Sequence, residues 1–397
     1  METLEGEYQL LNSDSMTDLL QYALTGDPDA RLTDFRCEVD AVHHRPGAEV
    51  SVGYVISYTV GDQPVEEYLV ATTADVTGQV AELSQGDLTL RVWRHPDDPR
   101  LPGLADACQP ETVAAWLTEI TGSDAPSSLE VLAYRPLRRA VLRAVQGDRV
   151  FYLKVLPRKR ADALATRHTV LGGSGLAPEL LGRPGENVLI IPAARGRSYA
   201  QALVAAASEG LGVVPTPAQL VDLLDRLPAE AMSWPRRDAW SDRLDFHTHA
   251  AATALPERAD EVHALARDLQ PLLDAAPVGP VVPTHGDFYE ANLYCDPDGT
   301  PSHLIDLDSV GPGRREDDLA CLLGHLAVLP SLAPESYPMV PEHLAAATQD
   351  FESRVDPVAL RARVAAVILS LVPSGSPEVR STWLAEAQGW ARSAVTP

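Results

Sequence analysis

The sequence predicts an α+β protein in three successive parts: a small α+β unit, a small antiparallel sheet carrying one helix, and a mostly helical region. Three observations carry this. Residues 50–94 hold alternating apolar runs that read as paired strands. Residues 128–194 hold three short β-prone runs, then a helical pattern, then two more β-prone runs. Beyond Gly196 the apolar spacing is helical, interrupted by two short apolar runs around a turn.

Taken in order, VSVGYVISYTV places Val52, Tyr54, Ile56, Tyr58 and Val60 on one face of a strand. The turn Gly61-Asp62-Gln63-Pro64 and the run VEEYLVATT complete a hairpin. LTLRVWR adds a strand with Leu88, Leu90 and Val92 inward, and the proline-rich HPDDPRLPGLADA reads as a linker or crossover before the short helix ETVAAWLTEI. SLEVLAYRP, RRAVLRAV and RVFYLKVL follow as strands, separated by Pro136-Leu137-Arg138 and by Gln146-Gly147-Asp148. RKRADALATRHTVLGG has helical spacing and stops at a glycine pair, and ELLGRP and NVLIIPAA read as two further strands. SYAQALVAAA, PAQLVDLLDRL and DEVHALARDLQPLLDAA are helical, as are segments after residue 314. Between them, ANLYC and SHLIDLD flank Asp296-Pro297-Asp298-Gly299, a strong turn signal, so a loop followed by a hairpin is expected within the helical region.

A chain of 397 residues suits two or three domains better than one. No run of eighteen apolar residues offers a membrane span, and the polar, acidic start METLEGEYQLLNSDSM is unlike a secretory signal. Cysteines 37, 108, 295 and 321 are scattered without zinc or redox spacing, which points to free thiols and a cytoplasmic location. A net charge of −24 argues against nucleic-acid or anionic-membrane partners. It serves solubility and is compatible with a cationic substrate. Lys154 and Lys159 are the only lysines, so a lysine inside the apolar strand FYLKVL asks for a reason.

The richest chemistry lies in THGDFYEANLYCDPDGTPSHLIDLD, residues 284–308. Asp287 and Asn292 are five apart, and Asp306 follows across the expected hairpin. A hairpin brings the loop before its first strand close to the end of its second, so two carboxylates and an amide oxygen can converge. Such hard oxygen donors suit Mg²⁺.

The pattern H-G-D-x₄-N followed by a strand pair ending in I-D resembles the aminoglycoside phosphotransferase and choline kinase superfamily of protein-kinase-like small-molecule kinases. The resemblance covers roughly residues 128–397 and implies a bilobal kinase-like fold, with ATP and Mg²⁺ as cofactors. It implies an N-lobe at 106–194 with a hinge at 191–196 and a helical C-lobe from 195, and the small α+β unit at 1–105 is then an additional N-terminal cap domain that exceeds the minimal family unit. The catalytic loop would be 284–292 and the metal segment 304–308. At matching positions, Asp287 would be the catalytic base, Asn292 and Asp306 would hold Mg²⁺, and Asp308 would assist a second metal or bond nearby amides. His285 would shape the loop, and Asp318 in EDDLACLL would tie the following helix to it. Lys154 would meet the ATP phosphates, and backbone groups of Ile191 and Ala193 the adenine.

Two features depart from the pattern. RPLRRA, between the first two N-lobe strands, has no glycine; Arg138 or Arg139 could contact phosphate there, or both could be surface arginines. The helix after Lys154 carries no glutamate to pair with it, and Asp162 and His168 are the candidates in its place. His247 and His249 are two apart on a helix and so point to different faces, as ordinary helix residues do. The expected activity is phosphate transfer to a hydroxyl of a small molecule: an aminoglycoside, another antibiotic or a sugar. A Ser/Thr kinase of a precursor peptide, or a nucleotide-binding regulatory protein without turnover, are the alternatives.

Overall fold

The computed structural model describes residue 11 and residues 15–27, 29–45, 49–85 and 88–395. The chain divides into two compact units: one ends at Ala165 and takes in Leu180–Ala193, the other takes Thr166–Glu179 and the chain from Ala194 onward.

In the first unit, helix α1 (Ser15–Thr25) precedes strands β1 (Thr33–Arg45), β2 (Glu49–Val60), β3 (Gln63–Thr72), β4 (Ala81–Gln85) and β5 (Leu88–Arg94). These form an antiparallel sheet of order β1-β2-β3-β5-β4. As expected, Val52, Tyr54 and Ile56 are core residues; Tyr58 packs at their edge, while Val60 is 57% exposed at the strand end. The turn is tighter than the sequence suggested: Val60 pairs with Gln63, leaving only Gly61-Asp62 outside the ladder, with Gly61 in the left-handed region. Leu90 and Val92 are buried, whereas the side chain of Leu88 lies outside the described residues. β1 had no clean period in the sequence because its register shifts twice. Phe35 and Cys37 face the core, the shift between Val39 and Ala41 reverses the phase, and Val42 then faces inward.

Helices α2 (Leu104–Ala107) and α3 (Pro110–Thr121) lead into a second antiparallel sheet, β6 (Ser127–Arg135), β7 (Arg139–Gln146), β8 (Arg149–Val155) and β9 (Val188–Pro192), in that order. Ala140, Leu142 and Ala144 of β7 and Phe151, Leu153 and Val155 of β8 share the face that packs against Leu104, Val113 and Leu117. ELLGRP does not become a strand. With Gly182 and Pro184 breaking it, it makes one isolated bridge, Gly182 to Ile190. Helix α4 (Arg158–Gly173) follows β8 as expected.

The second unit is mostly helical: α5 (Tyr199–Glu209), α6 (Pro217–Asp225), α7 (Leu244–Ala254), α8 (Ala259–Ala275), α9 (Arg315–Leu332), α10 (Val340–Glu352), α11 (Pro357–Leu371) and α12 (Pro377–Val395). Between α8 and α9 lie β11 (Val281–Thr284), β12 (Leu293–Cys295), β13 (Pro301–Leu304) and β14 (Gly311–Arg314). The two-residue β10 (Arg197–Ser198) pairs with β12. Segment Pro357–Ser374 is apolar enough to cross a membrane by length and composition, but 61% of it is buried inside the protein. It is the core helix of this unit: Arg363 on it is paired with Asp317 of α9 at 3.0 Å. The α+β architecture, two antiparallel sheets followed by a helical unit, is the one the sequence predicted.

Candidate active site

Two short ladders set the geometry of residues 284–311. β11 pairs with β14, placing Thr284 opposite Gly311, so 285–292 leaves and 305–310 returns at the same end of one ladder. β12 pairs with β13, placing Leu293 opposite Leu304, so Asn292 and Ile305 flank the first pair of the second ladder. The Ile305 amide donates to the Asn292 carbonyl at 2.9 Å. The DPDG hairpin thus sets Asp306 one residue beyond Ile305, the backbone partner of Asn292.

The loop that carries Asp287 is held from several sides. Asp318 accepts from the backbone amides of His285 (2.9 Å) and Gly286 (2.8 Å), one on each carboxylate oxygen. The fully buried His285 ring bonds through Nε2 to the Ile305 carbonyl at 3.0 Å. Asn292 Nδ2 donates to the Asp287 carbonyl at 2.9 Å, which turns the amide oxygen of Asn292 to other partners. Gly286 has φ 75°, and a Cβ there would lie 2.6 Å from the Ser309 carbonyl oxygen, so only glycine fits. Asp306 itself adopts the left-handed conformation, φ 55° and ψ 56°, at the step from strand to turn. A non-glycine residue held there marks a position constrained by its surroundings.

Burial pushes the Asp287 carboxyl up to about 6, opposed by the charge of Arg237 and assisted by that of Asp306. Burial also pushes Asp318 up to about 7, against the two amide donors and Arg315 at 3.8 Å, which favour its ionised form. Arg237 was not singled out by sequence reasoning. It lies in WPRRDAW, its Nη1 donates to Ser309 Oγ, and its guanidinium is 5.9 Å from the Trp240 ring centroid. The signal that could have found it is a pair of arginines between tryptophans in a strongly acidic chain. Glu290, also passed over, is buried with one oxygen unpartnered among the described residues and is pushed up to about 7 by burial.

Asp308 occupies the 3-10 turn Leu307–Ser309 and is an electrostatic neighbour of Arg167. Arg167 is buried, donates to the Val310 carbonyl at 3.1 Å and lies 5.3 Å from the Trp234 ring centroid. Asp308 thus has a guanidinium beside it.

Lys154 is half-buried on β8, opposite Val141 and Leu189, on the sheet face away from the Phe151–Leu153–Val155 core. Arg138 is exposed in the β6–β7 turn, and Arg139, half-buried, begins β7. Ile191 is buried on β9 opposite Tyr152, and the Ala193 amide donates to the Val150 carbonyl at 2.9 Å. Asp162 pairs with Arg183 at 2.8 Å, and His168 is buried with Nδ1 bonded to the Pro178 carbonyl at 2.9 Å. His247 is buried between Trp240 and Phe246 while His249 is exposed, so the two do point apart.

Among the described residues no group of three or more His, Cys, Asp or Glu side chains could hold a metal. The donors at 292 and 306 are one amide oxygen and one carboxylate, a set that fits Mg²⁺, which is commonly held by one or two carboxylates with substrate phosphates and water completing its shell.

The chain is similar to solved structures of small-molecule kinases. One is a thermostable mutant of aminoglycoside phosphotransferase APH(4)-Ia in a ternary complex with ADP and hygromycin B, at 18% identity and TM-score 0.45, covering 72% of this chain and 98% of that one. A second is an aminoglycoside-3'-phosphotransferase of type VIII, at 22% identity and TM-score 0.42, covering 64% and 96%. A third is a choline/ethanolamine kinase family protein from Mesorhizobium loti, at 16% identity and TM-score 0.43, covering 72% and 95%. No family model and no curated protein matches the sequence. The functional reading therefore rests on the residues of the site.

Proposed function

We propose that this protein is an ATP- and Mg²⁺-dependent phosphotransferase that moves the γ-phosphoryl group to a hydroxyl of a small molecule. The observation that carries the reading is the convergence of Asp287, Asn292 and Asp306 on one loop–hairpin unit that Asp318 braces through two backbone amides. In this reading Asp287 accepts a hydrogen bond from the acceptor hydroxyl and orients its oxygen toward the γ-phosphorus. As the new O–P bond forms and the bond to the β-phosphate oxygen breaks, ADP departs and the hydroxyl proton passes to Asp287. Asn292 and Asp306 would hold Mg²⁺, which offsets the phosphate charge. Lys154 would contribute a further cation to the phosphates. Arg237 keeps Asp287 more acidic than burial alone would, so more of it is ionised near neutral pH.

An aminoglycoside, another antibiotic and a sugar are all acceptors of the proposed class. The absence of a glutamate from α4 favours a second reading, a nucleotide-binding regulatory protein without turnover. One experiment separates them: mass spectrometry of a panel of hydroxylated acceptors incubated with Mg·ATP, scored for the gain of one phosphate. Labelling that disappears with Asp287→Asn supports the phosphotransferase; tight ATP binding with no labelled acceptor supports the regulatory protein.

A further inference from the structure

A second concave site lies on the second unit, between β11, the start of α9 and the α10–α11 connection. Its volume is about 670 Å³, within the range of small-molecule pockets. Val221, Val282, Leu319 and Val355 contribute apolar wall. Most of the charge on the wall is already matched. Arg315 is paired through Nη2 with Asp225 at 2.9 Å, and its buried Nη1, which has no hydrogen-bond partner among the described residues, has the Asp318 carboxylate at 3.8 Å as counter-charge; Arg354 is paired with Asp350 at 2.7 Å, and Asp356 caps α11 by accepting from the Ala359 amide at 2.9 Å.

Glu316 is different. Only 1% of it is exposed, and its Oε1 accepts from the Gly279 amide at 2.5 Å, while Arg314 Nη1 donates to the Gly279 carbonyl. The carboxylate is therefore pinned by a clamped backbone, and its other oxygen, Oε2, is buried without a hydrogen-bond partner among the described residues. A buried anionic oxygen is costly to leave unpaired, and Glu316 is one of the residues lining the cavity from which a partner can come.

We propose that this cavity is a binding site for a small organic ammonium ion, whose N–H donates to Glu316 Oε2 and whose hydrocarbon body packs on the valine and leucine wall. The chemistry selects the class. An anion is repelled by Glu316, and a neutral apolar molecule leaves Oε2 unpaired. An ammonium on a short hydrocarbon satisfies both the acceptor and the wall. The site does not depend on the phosphotransferase reading, because binding is measured on the protein without ATP.

The test uses cyclohexylmethylamine, protonated at neutral pH, and its neutral analogue cyclohexylmethanol, titrated into the full-length protein by calorimetry and saturation-transfer NMR. The amine is expected to bind in preference to the alcohol. Glu316→Gln should weaken the amine by about tenfold or more, the loss of one charge-assisted hydrogen bond. Val278→Trp, on the exposed rim, should block entry while leaving the carboxylate untouched. Equal binding of amine and alcohol to the wild type, no binding of either, or undiminished amine binding by both variants would each overturn the proposal.

Discussion

The brace on the loop that carries Asp287 can be measured directly through Asp318→Ala. The wild-type carboxylate accepts the amides of His285 and Gly286, and its side chain has no solvent exposure. Leaving a buried donor unsatisfied costs about 1–3 kcal/mol, so losing both acceptors should destabilise the second unit by about 2–6 kcal/mol. That is a large part of a typical domain stability of about 5–15 kcal/mol. Asp318→Asn keeps one acceptor oxygen but turns an NH₂ toward the other amide, and should cost about half as much at neutral pH. Four of the six tryptophans, Trp234, Trp240, Trp383 and Trp390, belong to the second unit, so urea unfolding followed by fluorescence reports mainly on it. Hydrogen exchange should show lost protection at the amides of His285 and Gly286. The pH dependence follows from the sign of the shift. The folded-state value, about 7, lies above the ordinary carboxyl value, so the folded protein binds this proton more tightly than the unfolded chain. This contribution to stability is complete at acid pH and is lost as pH rises through about 7; Asp318→Asn should remove that dependence. A loss below about 1 kcal/mol for Asp318→Ala, with both amides still protected, would refute the bracing role.

The proposed chemistry yields further predictions. Asp287→Asn should reduce phosphate transfer by at least about a hundredfold with nucleotide affinity nearly unchanged, read by coupled ADP release and by calorimetry; undiminished transfer would remove Asp287 as base. In the wild type, kcat/KM should fall about tenfold per unit as pH drops below about 6, because the base is then protonated. Arg237→Ala removes the charge that lowers the Asp287 value, so the acid limb should move to higher pH; a limb that stays in place or moves down contradicts the coupling. Gly286→Ala combines a left-handed backbone with a 2.6 Å approach to the Ser309 carbonyl and should cost about 1–3 kcal/mol, measurable as a fall in Tm of the second unit.

The DPDG hairpin was legible because its information is local. Turn residues fix the connection, the connection fixes the register, and the register places Asn292 beside Ile305. Asp318 could be placed near the loop from the resemblance alone, but its grip on two amides depends on how α9 enters from β14. Arg237 was not legible for the same reason: it reaches Ser309 across 72 residues of chain, and its own segment has no period to read. β1 was missed because its phase reverses at a bulge, and ELLGRP was mistaken for a strand because short apolar composition outweighed its glycine and proline.

The glycine-free turn RPLRRA shows how a departure in sequence is resolved in structure. Leu137 takes the left-handed conformation, φ 63°, that a glycine would adopt without strain. Its amide donates to Asp98 Oδ2 at 2.7 Å, and the same oxygen accepts from Tyr134 Oη at 2.8 Å. The leucine side chain is 4% exposed and packs with Val70 and Trp93 of the N-terminal sheet and with Ala74 and Val76 of the β3–β4 connection. Strain of about 1–2 kcal/mol at that residue is thus opposed by about 1.5–3 kcal/mol of side-chain burial. The turn is fixed by Asp98, which lies 39 residues earlier in what reads as linker, and by the apolar cluster that Leu137 joins. Leu137→Gly should therefore lower the stability of the first unit even though it relieves the backbone. A stabilised variant, measured by thermal unfolding, would mean that the N-terminal sheet does not support the turn.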